Sequence, residues 1–413
     1  MTGVAILGFG TVGSGVYDVI NTNSGVLELK SGDKIEVKKV LDLRDFPGNP
    51  VEKVLTKDFE EILNDPDIGI IAEAMGGVEP AFTFTKRALA MGKSVVTSNK
   101  ELVAKHGPEL MKLARTNGVS YLFEASVGGG IPIIRPLCVS LAADEILEIS
   151  GILNGTTNYI LTKMTEEGKS FDEVLKDAQQ LGYAEANPAA DVEGHDACRK
   201  IAILSSLAFG ETVNYEHIYT EGITKITHID IEYSKKLNCL IKLIGSSKKS
   251  KNGISAKVSP CLISKEHPLS AVNGVYNAIF VKGNMSGNTM YYGSGAGKLP
   301  TASAVVADIV DAVRHKGLTV NIGWDCDVQA CVADIKEADV KAMIRIASDN
   351  FEAAKKSIIE VFGDVQFVDL DVQDDEFAII TNEETEGSMA EKVEKIATMS
   401  GVGEIRNLIR MEA

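Results

Sequence analysis

The chain has 413 residues, which is enough for two or three domains with buried cores. Its composition, 45% apolar and 24% charged, excludes collagen-like, disordered and low-complexity proteins, and no apolar run approaches the roughly 18 residues of a membrane span. The 58 acidic and 42 basic residues give a formal charge of −16, which argues against nucleic acid as the main partner because such a surface repels phosphate.

The amino terminus and the cysteines both indicate the cytoplasm. Residues 4–7 already form a strand pattern, without the basic segment and longer apolar run of a signal peptide. The six cysteines contain no Cys-x-x-Cys pair and are mostly far apart. Reduced thiols are therefore expected rather than a disulfide framework or a zinc site, and we expect a cytoplasmic protein.

The first third of the chain alternates apolar strands with helices. The predicted elements are a strand over Val4–Leu7, a helix from Gly13 to Ile20, strands over Glu36–Leu41 and Ile68–Ala74, a helix over Pro80–Met91, a strand over Ser94–Thr97, a further helix, and a strand over Ser120–Glu124. Such repetition is typical of a parallel sheet covered on both faces. We predict an α/β fold whose first domain, residues 1–130, is a Rossmann-type doubly wound parallel sheet, completed by a helix near residues 302–320.

The pattern changes at about Ala125. A glycine-rich segment leads into an apolar helix, followed by a strand over Ile146–Leu153, helices over Phe171–Leu181 and Ala189–Phe209, polar strands between residues 240 and 292, and a helix over Ala302–His315. This order predicts a mixed α+β domain over residues 131–320.

The final residues, 338–413, follow a connector at Gly317–Asp327. They predict a strand over Ala342–Ala347, a helix over Phe351–Phe362, strands over Val365–Val372 and Phe377–Thr381, a helix over Ser388–Met399, and a strand over Ile405–Arg410. This β-α-β-β-α-β order is the ferredoxin-like arrangement.

A dinucleotide-binding motif follows the first strand. The run Gly8-Phe9-Gly10-Thr11-Val12-Gly13 fits G-x-G-x-x-G between a strand and a helix. The glycines allow a tight turn and close backbone approach, and the amino terminus of the helix would face a pyrophosphate. A lone motif of this kind also occurs as an ordinary glycine-rich turn, but the strand–helix context favours NAD or NADP.

The second strand leaves the choice between the two cofactors open. Asp42 at the strand end would accept a hydrogen bond from a ribose 2′-hydroxyl and repel a 2′-phosphate, which favours NAD. Arg44 or Lys39 would instead pair with the 2′-phosphate of NADP, and Arg44 would otherwise be a solvated loop charge.

Two lysines are candidates for proton transfer. Lys100 follows a strand of the parallel sheet, where such folds bind ligands, and Lys200 follows Asp196 by four residues, on one face of a helix. The segment before Lys200 is rich in carboxylates, which suit a substrate ammonium group, while a lysine suits proton transfer to a carbonyl oxygen during hydride reduction. Each candidate also has a structural interpretation. Asp196 and Lys200 would be a solvated surface pair, and Lys100 a loop charge. His195, a further candidate acid or base, would instead hydrogen-bond to the backbone.

Several separated motifs resemble the homoserine dehydrogenase family. They lie between residue 1 and about residue 320 and comprise residues 8–15, 73–77, 97–100, 124–132, 151–159, 181–200 and 293–304. The block from Leu181 to Lys200 is far more specific than the glycine loop. The resemblance implies reversible, NAD(P)-linked interconversion of L-aspartate 4-semialdehyde and L-homoserine, in the biosynthesis of threonine, methionine and isoleucine.

The resemblance also assigns roles to single residues. Lys200 corresponds to the proton donor and Lys100 to a second active-site lysine beside cofactor and substrate. The substrate-binding residues it implies are Glu185, Asp196, Asp191 and Tyr183, and Gly182 and Gly297 match positions where backbone approaches the cofactor. Residues 131–320 would then bind substrate and form a homodimer or higher homo-oligomer.

The family also binds a monovalent cation, usually sodium, at the glycine-rich turn. By resemblance, its ligands would be an oxygen of Glu124 and the carbonyls of Val127, Gly129 and Ile131. The alternative is a glycine turn beside a buried, hydrogen-bonded glutamate.

The sequence departs from the family pattern at several positions. Asn187 stands where aspartate is usual, and Cys198 where a small apolar residue is usual.

The tail resembles an ACT domain, a module that senses amino acids, typically threonine, but its loop Ser348–Glu352 lacks the usual glycine. The tail would therefore be either an effector site or an oligomerisation module. Rival functions are another amino-acid dehydrogenase and a non-catalytic amino-acid sensor.

Overall fold

The computed structural model describes residues 1–320, 322–370 and 375–412. Strands β1 to β19 are, in chain order, Thr2–Leu7, Ile35–Leu41, Leu55–Thr56, Ile68–Glu73, Ser94–Thr97, Tyr121–Leu122, Ile146–Ile152, Glu211–Thr212, Tyr219–Thr220, Cys239–Ser250, Gly253–Ser264, Tyr276–Gly283, Gly287–Ser294, Asp325–Gln329, Asp339–Ala347, Gln366–Val368, Glu376–Ile380, Glu384–Thr385 and Ile405–Glu412.

Helices α1 to α13 are Thr11–Thr22, Ser24–Ser31, Phe59–Leu63, Ala81–Ala90, Lys100–Thr116, Gly155–Glu167, Phe171–Gln180, Ala189–Val192, His195–Phe209, His228–Lys236, Lys298–Arg314, Phe351–Phe362 and Glu386–Ile396. No helix in the described part of the chain is both long and apolar enough to cross a membrane.

The described residues divide into two units that are each closely packed. The first comprises Met1–Ile149, Arg199–Glu216 and Asn277–Ala330, and the second comprises the remaining described residues. The division into domains at residues 1–130, 131–320 and 338–413 stays a prediction.

Six parallel strands form the main sheet of the first unit, in the order β3-β2-β1-β4-β5-β6. All six residues of β1 are buried, as expected for a parallel strand covered on both faces. Helices α1 and α11 share a hydrophobic core with this sheet. The strand order reverses between β1 and β4, the position where doubly wound sheets bind ligands. The Rossmann-type prediction is confirmed.

Three predicted elements are shorter than expected or interrupted. The strand predicted over Ser120–Glu124 ends at Leu122, and Glu124 starts a 3-10 turn. The helical stretch predicted over Ala189–Phe209 is interrupted before His195, because Gly194 adopts a left-handed φ of 85°. The apolar helix predicted after the glycine-rich segment is only a short π-helical turn, Pro136–Ser140.

Four helices lie where the sequence predicted none: α2, α3, α6 and α10. Helix α6 begins with Gly-Thr-Thr, which are poor helix formers, but Asn154 Oδ1 caps it by accepting from the Thr157 amide at 2.9 Å. Helix α10 starts with a capping box between Thr227 and Asp230. In both helices, hydrogen bonds from capping side chains stabilise the first turn more than the helix propensity of the residues would predict.

The second unit contains a sheet in the order β10-β11-β19-β15-β17-β16. Strands β15, β16, β17 and β19 with helices α12 and α13 reproduce the predicted β-α-β-β-α-β order, and their spatial order is ferredoxin-like. The strand predicted over Val365–Val372 is observed as β16, Gln366–Val368; residues 371 and 372 lie outside the described residues. Strand β19 pairs in parallel with β11, placing Arg410 opposite Cys261.

Candidate active site

The glycine loop between β1 and α1 has the geometry of a phosphate-binding turn. Gly8 adopts φ 90°, and a Cβ on Gly13 would lie 1.8 Å from the Gly8 carbonyl oxygen, so both positions require glycine. Gly10 precedes α1 without a side-chain cap and faces open space. The first amides of α1, from Thr11, Val12 and Gly13, therefore face a position suited to an anionic ligand.

The segment at Gly297 packs beside this loop. Gly297 precedes α11 with φ 122° and no side-chain cap, and a Cβ on Gly15 would lie 2.8 Å from the Lys298 carbonyl oxygen. Glycine in α1 therefore allows α11 to approach closely. The contact places the start of α11, directly after Gly297, against the helix that follows the glycine loop.

Asp42 and Arg44, two alternatives in the sequence, form one ion pair. Arg44 Nε and Nη2 donate to Asp42 Oδ1 and Oδ2 at 2.9 and 2.8 Å, and the Phe9 amide donates to Asp42 Oδ2 at 2.8 Å. The Arg44 guanidinium holds the pKa of Asp42 well below its usual range. Asp42 is thus an anion fixed to the glycine loop, while Arg44 is largely exposed. Lys39, the third candidate, pairs with Glu61 at 2.8 Å.

Lys100 is the first residue of α5, directly after β5, and a hydrogen-bond network fixes this turn. Asn99 caps the helix, since its Oδ1 accepts from the Leu102 amide at 3.1 Å. The Asn99 amide donates to Thr97 Oγ1, which donates to Glu73 Oε2 at 2.6 Å. Glu73 is fully buried, and burial raises the pKa of its carboxyl. Glu73 lies in the motif at residues 73–77, but no role was predicted for it; an acidic residue that ends an apolar strand was the available signal.

Helix α9 carries Lys200, a buried residue four positions after Asp196. Arg199 Nη2 donates to Glu101 Oε1 at 3.4 Å. Because Arg199 precedes Lys200 and Glu101 follows Lys100, this contact brings the two lysine-bearing segments together, as a shared site would require.

The second unit contains a pair of carboxylates held by one amide. Asn154 Nδ2 donates to Asp191 Oδ1 at 2.7 Å and to Asp196 Oδ2 at 2.8 Å. Asp196 is buried and Asp191 is half-buried. Two anions gathered in this way suit a cationic ligand group such as an ammonium. Asn154 lies in the motif at residues 151–159, but no role was predicted for it, although Asn-x-x-Thr after a strand is a recognisable helix-capping signal.

The other predicted substrate residues lie on an exposed segment. The Tyr183 ring packs against the Tyr159 ring with centroids 5.1 Å apart and planes tilted by 59°, and Glu185 is exposed. Asn154 uses both amide hydrogens on Asp191 and Asp196, so it does not hold Glu185. Gly182 has φ 75° and open space around its Cα.

His195 and Asn187 lie close in sequence to the two carboxylates. His195 is exposed, and its Nε2 lies 3.1 Å from Glu193 Oε2. Its hydrogen-bond partner is therefore a side chain and not the expected backbone group. Asn187 retains turn chemistry, because its Oδ1 accepts from the Ala189 amide.

The predicted cation turn is organised around Glu124. Its carboxylate accepts the amides of Ile133 and Ile134 at Oε1 and of Arg135 at Oε2, at 2.7 to 2.8 Å. Gly128 and Gly129 both have positive φ. No cluster of three or more His, Cys, Asp or Glu side chains suited to a metal occurs among the described residues. Besides this carboxylate, Glu124 carries a main-chain carbonyl oxygen, which is a second candidate donor for a cation.

Two family models match the chain. Residues 8–124 match the model described as "Homoserine dehydrogenase, NAD binding domain", and residues 132–310 match the model described as "Homoserine dehydrogenase".

Curated proteins and solved structures with the same description are similar to this chain. Homoserine dehydrogenase of Synechocystis sp. PCC 6803 is 49% identical over 316 residues, which cover 75% of this chain and 73% of the relative. That of Bacillus subtilis strain 168 is 39% identical and covers 99% of this chain and 98% of the relative. The crystal structure of a homoserine dehydrogenase from Thiobacillus denitrificans superposes with a TM-score of 0.92 at 37% identity, covering 100% of this chain and 98% of that one.

Proposed function

Because this chain belongs to the homoserine dehydrogenase family and is an NAD(P)-dependent oxidoreductase, we propose that its Asn154-held carboxylate pair binds the amino acid and that Lys200 transfers the proton. The reaction is the reversible interconversion of L-aspartate 4-semialdehyde and L-homoserine. The observation that carries this assignment is the single amide that gathers Asp191 and Asp196.

The carboxylate pair suits the α-ammonium group that both substrates share. Asn154 donates one hydrogen to each carboxylate, which fixes their orientation toward one another. A charge-assisted hydrogen bond to an ammonium would be short and strong in this partly buried position. We place Glu185 and Tyr183 on the exposed segment as outer contacts, and Asp191 and Asp196 as the primary ones.

Lys200 is the proposed proton donor to the aldehyde oxygen during reduction. NAD(P)H, when bound, supplies the hydride to the aldehyde carbon, and negative charge develops on the oxygen. An ammonium group at Lys200 stabilises that charge and delivers the proton, and in oxidation the neutral amine takes it back. Lys100, fixed by the Glu73–Thr97–Asn99 network, contributes a second positive charge beside cofactor and substrate.

The proposed cofactor residues are the glycine loop, Gly8 to Gly13, together with Gly182, Gly297, Lys100, Asp42 and Arg44. We propose a preference for NAD, because the Asp42 carboxylate is anchored to the Phe9 amide and kept ionised. An anion fixed there would accept from a 2′-hydroxyl and repel a 2′-phosphate. Because Arg44 neutralises part of that charge, the repulsion of a 2′-phosphate is weakened, and we expect a measurable rate with NADP as well.

The glycine-rich turn is the proposed site of a sodium ion. The donors would be the main-chain carbonyls of Glu124, Val127, Gly129 and Ile131, which are hard neutral oxygens suited to a singly charged cation. The three amides bound by the Glu124 carboxylate fix the path of this turn. Exchange of sodium for a large organic cation should lower turnover if the ion orders the turn.

We propose an amino-acid effector, threonine in the first instance, at the C-terminal ACT-like region. An open cavity there is lined by Ser348, Asp349, Phe351, Asp375 and Gly403, and its two carboxylates suit an ammonium group. The alternative, an oligomerisation module without ligand, predicts that threonine does not alter turnover. We further propose a homodimer or higher homo-oligomer working in the cytoplasm.

The direct test follows the absorbance of reduced nicotinamide, with L-homoserine plus NAD or NADP at alkaline pH. A homoserine-dependent rise that is faster with NAD is expected. A protein that binds dinucleotide but shows no rise would favour another amino-acid substrate or a sensor.

A further inference from the structure

Arg410, near the end of β19, is buried and contacts two carboxylates and an aromatic ring. Its Nη1 donates to Glu221 Oε2 at 2.7 Å, while Nε and Nη2 donate to both oxygens of Glu386. The guanidinium lies 4.7 Å from the centroid of the Tyr219 ring, and the Tyr219 hydroxyl also donates to Glu221 Oε2 at 3.1 Å. A strand of the ferredoxin-like region is therefore tied to the segment that begins at β9.

Strands β9 and β19 lie in tandem along one edge of β11. β9 pairs with β11 at Lys257 and Val258, and β19 pairs at Cys261 to Ile263, both in parallel, while β10 pairs with β11 from end to end. Because a strand has two edges and β10 occupies one edge of β11, β9 and β19 must both pair with the other edge. The Glu221 amide adds a bond to the Val258 carbonyl at 2.8 Å. Glu221 thus lies where the two parallel strands follow one another.

The residues after Glu221 support the backbone of the carboxylate segment. A Cβ on Gly222 would lie 2.1 Å from the Val192 carbonyl oxygen and 2.5 Å from the Glu193 Cα, so the two backbones touch. The Ile223 amide donates to the Val192 carbonyl at 2.8 Å. Val192 and Glu193 directly follow Asp191.

Gly194 extends this contact along the same segment. A Cβ there would lie 3.2 Å from the side chains of Thr220 and Val258, so the backbone of residue 194 rests directly on β9 and β11. Asp196 follows two residues later, bound to Asn154 together with Asp191. A continuous series of contacts therefore runs from Arg410 through Glu221 and Gly222 to both carboxylates.

We propose that Arg410 and Glu221 are positioning residues through which the C-terminal region sets the affinity of the carboxylate pair for the amino acid. This inference rests on the proposed function, because it takes Asp191 and Asp196 as the groups that bind substrate. Neither residue touches the reacting atoms. Their effect is on the geometry of Val192 to Gly194, and hence on the separation of the two carboxylates.

Arg410→Met tests the proposal, because methionine retains bulk but leaves Glu221 and Glu386 without their shared cation. The KM for homoserine should rise roughly five- to tenfold, with kcat within about twofold and the KM for NAD unchanged. Glu221→Gln, which removes the charge from the other side, should raise the KM for homoserine in the same direction. In the double variant the two effects should not add, since they break one contact.

Arg345→Met is the matched control. Arg345 is equally buried, lies on the neighbouring strand β15, and also binds two carboxylates, Asp230 and Glu376. If the arginines only stabilise the fold, both variants should alter thermal stability and the KM for homoserine alike. A selective rise in KM for Arg410→Met supports positioning, whereas an equal rise in both, or none in either, overturns it.

Hydrogen exchange gives a readout that does not depend on turnover. In Arg410→Met the amides of residues 191–196 should exchange faster than in the wild type, and in Arg345→Met they should not. A wild-type protein without homoserine turnover would overturn the proposed function, while the exchange comparison would still decide whether Arg410 supports this segment. Wild-type exchange in Arg410→Met and Glu221→Gln would overturn the positioning claim, even in an active enzyme.

Discussion

Arg199 donates to Glu101 across 3.4 Å, and each of these residues is the chain neighbour of a lysine assigned to the reaction. The contact joins the start of α9 to the start of α5, two helices whose first turns are almost a hundred residues apart in sequence. It is a partly exposed pair and adds little stability by itself. Its importance is geometric, because it holds Lys200 and Lys100 in neighbouring segments of one unit.

Lys200→Ala should lose turnover while retaining cofactor affinity. Removal of a positioned proton donor costs about 10²- to 10⁴-fold in kcat, whereas the proposed dinucleotide-binding residues are unchanged. Steady-state rates together with a fluorescence titration of NADH would measure both. Lys112→Ala, at an exposed position on α5, is the control and should leave the rate unchanged. Near-normal turnover in Lys200→Ala would rule out the proton-donor role.

Glu73→Gln should reduce kcat several-fold without weakening dinucleotide binding. The amide keeps the size of the side chain, but it presents only one oxygen, where the carboxylate accepts from both the Met75 amide and Thr97 Oγ1. The turn that begins at Thr97 would then be less well ordered, and Lys100 with it. Rates and NADH affinity measured on the same preparation would check this. Equal losses in kcat and affinity would instead indicate general damage to the sheet.

Asp42 and Arg44 should have opposite effects on cofactor choice. Asp42→Ala removes the acceptor for a 2′-hydroxyl and the repulsion of a 2′-phosphate, so the ratio of kcat/KM for NAD to that for NADP should fall by about tenfold or more. Arg44→Ala should raise that ratio, since the remaining carboxylate would lack its cation. The measurement is kcat/KM with each cofactor at saturating homoserine. A ratio that moves the same way in both variants would contradict the assignment.

Gly194→Ala should destabilise the protein more than Gly182→Ala. Both glycines have positive φ, which costs an alanine about 1 kcal/mol. Only at Gly194 would the new Cβ also press on Thr220 and Val258, whereas Gly182 has open space. Urea unfolding of the two variants would show the difference, and Gly194→Ala should in addition raise the KM for homoserine. Equal stabilities would mean that backbone strain alone matters at both sites.

The titration of Lys242 should raise the free energy of unfolding of the protein as the pH increases from 8 to 10.5. Its Nζ is buried and donates to Asn158 Oδ1, the Val272 carbonyl and Asn273 Oδ1 at 2.7 to 3.0 Å, all uncharged acceptors. Burial lowers the pKa of Lys242 from 10.5 to about 8. Between these values the unfolded chain binds more protons than the folded one, so the free energy of unfolding rises with pH.

The expected size of this effect is about 3 kcal/mol, obtained from the pKa difference at about 1.4 kcal/mol per unit. It would appear as a rise in the free energy of unfolding of the wild type relative to Lys242→Met, measured by urea unfolding at pH 8, 9 and 10. Lys248→Met, at an exposed position of the same strand, should track the wild type. A constant difference across this range would show that Lys242 keeps an ordinary pKa.

Local patterns in the sequence predicted most of the fold. The alternation of apolar strands and helices indicated the parallel sheet, and the glycine loop lies between β1 and α1 as its spacing predicted. The tail, too, has strand and helix signals strong enough to indicate its topology. The break at Gly194 was missed because an isolated glycine in a helical pattern is often tolerated.

The contacts that organise the candidate site could not be predicted in the same way. Asn154 is 37 residues from Asp191 and 42 from Asp196, and Glu221 is 189 residues from Arg410. No periodicity relates such positions, so only the folded chain brings them together. The Glu73–Thr97 bond is similar, since it joins the ends of neighbouring strands through buried polar groups.

The tandem arrangement of β9 and β19 on β11 also has a consequence for synthesis of the chain. Strand β11 and its hairpin partner β10 emerge from the ribosome long before β19, so the part of the edge opposite Cys261 to Ile263 stays open while the intervening residues are made. An open strand edge of buried apolar residues is a template for wrong pairing between nascent chains. Expression at low temperature or with slowed initiation, which keeps nascent chains apart, should therefore increase the yield of correctly folded enzyme.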